Sequence, residues 1–88
     1  MHKILYWSNN YKPQDFINNP HPNAYKIVKF LKSFDIRKCY KGSAYCRICG
    51  DRLGSSCFIK NGLQWPSKAE HYITEHNLWI PEFDEIIK

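Results

Sequence analysis

The sequence predicts an α+β fold: one small domain in which an amphipathic helix packs on a module of zinc-knuckle, β-hairpin and helix, ββα-like in its order. Three observations predict it. Cys46-Arg47-Ile48-Cys49-Gly50 places two thiols on a tight turn, and His71 and His76 follow in a helix-forming run. Between these pairs, Asn61-Gly62 separates two β-prone runs, Cys57-Phe58-Ile59-Lys60 and Leu63-Gln64-Trp65, a strong two-residue hairpin signal. Upstream, Ala24, Ile27, Val28, Phe30, Leu31 and Phe34 fill one arc at 3.6-residue spacing, the mark of a helix with a core face.

A chain of 88 residues makes one domain, 1–88, with a marginal core that a bound metal would supplement. Its 43% hydrophobic content places it among globular rather than disordered chains. Residues 1–7 hold too short an apolar run for a signal peptide, and no run reaches membrane-span length. The expectation is a cytoplasmic protein without membrane contact, in which four cysteines mean metal or free thiols. A disulfide-stapled secreted domain is the competing reading, and the histidine pair argues against it. The net charge of +5 is uneven. Residues 23–52 hold Lys26, Lys29, Lys32, Arg37, Lys38, Lys41, Arg47 and Arg52 against Asp35 and Asp51, whereas the C-terminal third is mildly acidic.

In chain order, residues 1–22 read as a strand over 3–7, a turn at Ser8-Asn9-Asn10, and an irregular segment with one helical turn at Pro13–Ile17. Residues 23–45 read as an amphipathic helix, N-capped by Asn23 and running to about Phe34, then a basic connector. The connector holds a short extended piece near Cys39 and Tyr40 and a turn at Gly42. Lys26, Lys29 and Lys32 fall opposite the core arc, where a plain solvated face is the default. Residues 46–88 form the zinc-finger-like module. It includes a turn at Gly54-Ser55-Ser56 and a helix from Ser67 to Glu75 or His76, with Ser67 and Glu70 placed for a capping box. Asn77 ends that helix, and 82–88 form a tail docked by Phe83, Ile86 and Ile87.

Two thiols from a turn and two imidazoles from a helix are the donor set of a tetrahedral zinc site, so Cys46, Cys49, His71 and His76 are the expected ligands of one structural Zn2+. Five positions on an ideal helix turn a side chain by roughly 140°, so both histidines reach one metal only if the last turn loosens. Cys57 suits a small core residue, and Cys39 is an alternative ligand.

The ordered string Cys46-Arg47-Ile48-Cys49-Gly50, Leu53-Gly54-Ser55, Asn61-Gly62, Trp65-Pro66, His71-Tyr72, His76 and Pro81-Glu82-Phe83 resembles a functionally uncharacterised family of small bacterial and phage-type proteins. These carry a Cys-Arg-x-Cys-Gly … Trp-Pro … His-Tyr … His zinc-finger module of Cys2His2 type. The resemblance spans about half the chain, implies the same four ligands, and implies no activity.

The readings of function are three. The first is a zinc-stabilised module that binds a protein partner through aromatics such as Tyr6, Trp7, Tyr11, Tyr40 or Trp79, as a regulator or inhibitor would. The second is weak, backbone-directed nucleic-acid binding through the basic 26–52 region. The third, remote, is a ββα-metal nuclease using His76 and Asn77, which would need an open metal position. No nucleophile–base pair or phosphate-cradling loop is visible, so the chain is expected not to be an enzyme, and no small-molecule substrate is evident.

Overall fold

Asn61 and Gly62 form the turn from which the sheet grows. Both have positive φ, 52° and 78°, as a two-residue hairpin turn requires and Asn-Gly readily adopts. The turn joins β3 (Arg52–Lys60) to β4 (Leu63–Pro66) in antiparallel pairing, with Phe58 opposite Trp65. The computed structural model describes residues 2–87, and of residues 39–41 the backbone alone. β2 (Ile36–Tyr45) pairs antiparallel with the other edge of β3, and β1 (His2–Lys3) pairs parallel with β4. The mixed sheet therefore runs β1-β4-β3-β2. Among the described residues three α-helices complete the α+β domain: α1 (Ala24–Leu31), α2 (Glu70–His76) and α3 (Pro81–Ile86).

The core forms where α1 meets the sheet. Trp65 is fully buried, and its indole N–H donates to the Leu31 carbonyl at 3.2 Å. Phe30 lies against Trp65, and Phe34 stacks on Phe58 at 3.9 Å between ring centroids. Ile27 and Leu31 are buried from α1, Tyr72 and Ile73 from α2, and Phe83 from α3. Lys26, Lys29 and Lys32 are exposed, as helical periodicity requires. The N-terminal segment wraps the C-terminal end of α2. Asn18 and Asn19 donate their amides to the carbonyls of His76 and Asn77, and Trp7 meets Tyr72 edge-on at 5.5 Å.

Several local expectations change. The strand placed over 3–7 ends at Lys3. Ile4 and Leu5 are both buried, and successive strand residues cannot face one core. The backbone instead turns at Leu5, with φ 62°. α1 stops at Leu31, three residues early, because Ser33 donates both its amide and its hydroxyl to the Phe30 carbonyl and frees Phe34 to stack on the sheet. Asn23 precedes the helix without a side-chain capping bond. The extended piece expected near Cys39 and Tyr40 is there but spans the whole connector, the expected turn at Gly42 included, as the strand β2, with register shifts between Cys39 and Ala44 and between Ala44 and Tyr45. Gly54-Ser55-Ser56 is likewise strand. Pairing between β2 and β3 holds both stretches extended, which tertiary contact does regardless of propensity. No capping box forms: Ser67 donates its hydroxyl to the Leu53 carbonyl at 2.6 Å, and α2 opens at Glu70. The tail is helical, with Pro81 at its first turn, where a missing N–H costs nothing.

Candidate metal centre

The first half of the site is the turn that leaves β2. The Cys46 amide donates to the Asp51 carbonyl at 2.8 Å, and the Gly50 amide returns to the Cys46 carbonyl at 2.9 Å. Gly50 has φ 81°, the left-handed region that glycine enters without a Cβ penalty. This closure aims the Ile48 amide at Cys46 Sγ, 3.4 Å away. The turn is also tied to the helix that carries the imidazoles, since the Arg47 amide donates to the Tyr72 hydroxyl at 2.9 Å. Burial pushes the Tyr72 phenol above its usual pKa, so it remains a neutral partner there.

The second half is α2. Its end is loosened: the amides of Asn77 and Leu78 both donate to the Tyr72 carbonyl, and Asn77 caps the helix in the left-handed conformation, φ 50°. A closure five residues back widens the turn, so five residues come nearer to a full revolution and His71 and His76 come to share one side. Their rings stand 5.2 Å apart, inclined at 70°.

The four donor atoms converge within 4.8 Å of one another. Cys46 Sγ lies 3.4 Å from His76 Nε2, and Cys49 Sγ lies 3.3 Å from His71 Nε2. Usual zinc–sulfur and zinc–nitrogen bonds at tetrahedral angles predict a sulfur–nitrogen edge of about 3.5 Å. The spacing therefore fits a single metal ion held by four protein ligands. Cys46 is buried, Cys49 is exposed, and both histidines are half-buried. The Asp51 amide lowers the Cys49 pKa, but desolvation and the nearby Cys46 sulfur outweigh it, so the thiol sits above its usual value. A bound cation would offset that penalty on Cys49.

Other predicted residues scatter. Cys57 is buried in β3, outside the cluster. The side chains of Cys39, Tyr40 and Lys41 lie outside the described residues. The basic residues occupy separate places. Lys26 and Lys29 line one groove with Lys60 and Phe30. Arg37 and Arg52 line another with Lys68 and three serines. Arg47 lines a third with Tyr45 and Tyr72. Lys32 and Lys38 are exposed and line none of these. Lys60 and Lys68 join the grooves only because the sheet brings distant segments together, which no local motif signals. Among the aromatics expected at an interface, Trp79 is buried and stacks on His21 at 3.7 Å, and Trp7 stacks on Tyr11 at 5.2 Å. No helix among the described residues is long and apolar enough to cross a membrane. Compared with protein-family models, with curated proteins and with solved structures, the chain matches none.

Proposed function

We propose that the protein is a zinc-stabilised binding module, in which the metal holds the fold and the binding surface lies elsewhere. The convergence of Cys46, Cys49, His71 and His76 within 4.8 Å carries this reading. A mixed sulfur–nitrogen tetrahedral set selects zinc among common biological metals. Four protein ligands fill the shell and leave no position for water or substrate, the arrangement of structural rather than catalytic sites. The resemblance of the motif order to a zinc-finger module supports the same ligands. A reducing compartment such as the cytoplasm would keep the thiols of Cys46 and Cys49 free to ligate.

The partner class is argued from the surface. With Trp7, Tyr11 and Trp79 engaged in internal stacking, Tyr25 and Tyr45, at 65% and 55% exposure, are the exposed large aromatics among the described residues. A protein partner would meet these. Positive charge is the more abundant offering, and it favours an anionic partner. Metal analysis of the purified chain tests the core of the reading. One zinc per chain, with a melting temperature that falls on chelation, is the expected result. A metal-free chain that melts the same with and without chelator would refute it.

A further inference from the structure

We propose that the β2–β3 face beside Arg52 binds single-stranded nucleic acid, with Arg37, Arg52 and Lys68 holding backbone phosphates and Tyr45 stacking on a base. The inference rests on the binding-module reading only in requiring a folded, metal-loaded chain.

The groove has a volume of about 420 Å³ and is lined by both arginines, Lys68, Ser55, Ser56 and Ser67. A single carboxylate, Glu70, lines it. Arg37 donates its Nε–H to Ser56 Oγ at 3.3 Å, and Arg52 donates its Nε–H to Ser43 Oγ at 3.2 Å. Among the described residues neither arginine has a carboxylate partner. A guanidinium tied through Nε still has its terminal N–H groups to offer, in the planar fork that matches a phosphate. A neutral hydroxyl orders each fork without cancelling its charge, so part of the ordering cost is met before any ligand arrives.

Tyr45 supplies the second element. It is the ladder partner of Arg52, beside the register shift between Ala44 and Tyr45. Tyr45 is 55% exposed. Tyr45 lines not this groove but the neighbouring one, of about 350 Å³, with Tyr6 and Arg47, and Leu53 is common to the walls of both. An exposed aromatic beside uncompensated arginines, on a strand at the edge of a sheet, suits a backbone tracked by charge with a base turned onto a ring. A duplex fits less well. Its bases are already stacked, and α2, the helix nearest the groove, carries Glu70 and Glu75.

Fluorescence anisotropy with a labelled oligothymidylate, read against salt between about 50 and 200 mM, tests the assignment. Three phosphate contacts on a single strand predict a log–log slope near −2, about a fifteenfold loss of affinity over that range. The double variant Arg37→Ala/Arg52→Ala should lose most of the binding and flatten the slope by about 1.4. Tyr45→Ala should weaken binding roughly tenfold and leave the slope in place. Lys12→Ala, exposed and lining neither groove, should behave as the parent. Zinc content and melting temperature, measured on each variant, separate loss of the fold from loss of the site. The proposal is overturned if the metal-loaded parent does not bind at about 50 mM salt, or if either the double variant or Tyr45→Ala binds like it. It is equally overturned if polyglutamate competes as well as the oligonucleotide, which would point to an acidic protein.

Discussion

Cys49→Ser isolates the contribution of the metal. Cys49 is exposed, so the substitution opens no cavity, and its sulfur faces His71 Nε2 at 3.3 Å. The magnitude follows from where the ligands lie in the chain. The two sulfur–nitrogen contacts join residues 22 and 30 positions apart. Cross-linking a loop of that length removes about 3 kcal/mol of conformational freedom from the unfolded chain. A metal at about 100-fold excess over its dissociation constant stabilises by a similar amount. Against a total of roughly 4–13 kcal/mol for a chain this long, that is a large share. It corresponds to a fall of about 12–24 °C in melting temperature. The assay is far-UV circular dichroism of parent and variant, each with zinc and with chelator, alongside metal analysis. The parent should hold one zinc and lose those degrees on chelation, and the variant should hold none and ignore the chelator. A Cys49→Ser protein that keeps one metal per chain and melts within a few degrees of the parent would refute the ligand assignment.

Three further predictions concern the fold around the site. Gly54→Ala should cost about 1–3 kcal/mol in urea unfolding, because an added Cβ would meet Ser67 Oγ at 2.8 Å and Gly54 has φ 107°; an unchanged midpoint would show that the hydroxyl moves freely. Burial, then the hydrogen bond to Glu82 and its charge, raises the pKa of the Tyr11 phenol far above its ordinary value of 10.0. The fold thus favours the protonated phenol, so this stability is fully present below about pH 10 and is lost as pH rises further. Urea midpoints at neutral and alkaline pH should show that loss, and Tyr11→Phe should reduce it; equal alkaline sensitivity in the variant would disprove the assignment. Trp65→Phe should cost about 1–3 kcal/mol, since it removes the buried N–H donor to the Leu31 carbonyl and part of a fully buried ring; thermal melting checks it.

From Cys46 onward the hairpin turn and the end of the helix were legible because their signals are local, whereas the strand at Gly54-Ser55-Ser56 and the start of α2 at Glu70 were not. Asn61-Gly62 sets its own turn, Gly50 its own φ, and Asn77 its own left-handed cap. The α1 stripe was legible for the same reason, since its spacing needs no partner. β2 was not, because a run containing Lys38, Gly42 and Ser43 becomes a strand only through its pairing with β3. The N-terminal segment misled because Leu5 leaves the ladder to bury its side chain beside Ile4. The basic residues were visible as composition, but their division among three grooves depends on register and on the path of β4 into α2. A charge count sums over a chain, whereas a groove is made by what the fold sets side by side.

The place of the candidate metal centre in that arrangement links the two halves of the molecule. Tyr45 is the last residue of β2 and Arg52 the first of β3, so the two flank the turn that carries Cys46 and Cys49. The Cys46 amide to the Asp51 carbonyl closes that turn, and the Arg47 amide anchors it on Tyr72 of α2. A metal bound by both thiols and both imidazoles would fix the same turn from its open side. Tyr45 and Arg52 are already paired in the ladder, and the ion would brace that pair, although neither residue is among the four clustered ligands. On this view a structural metal is not remote from the binding surface. It would steady the strand ends that carry an aromatic ring and a guanidinium, and so help one ligand to reach both.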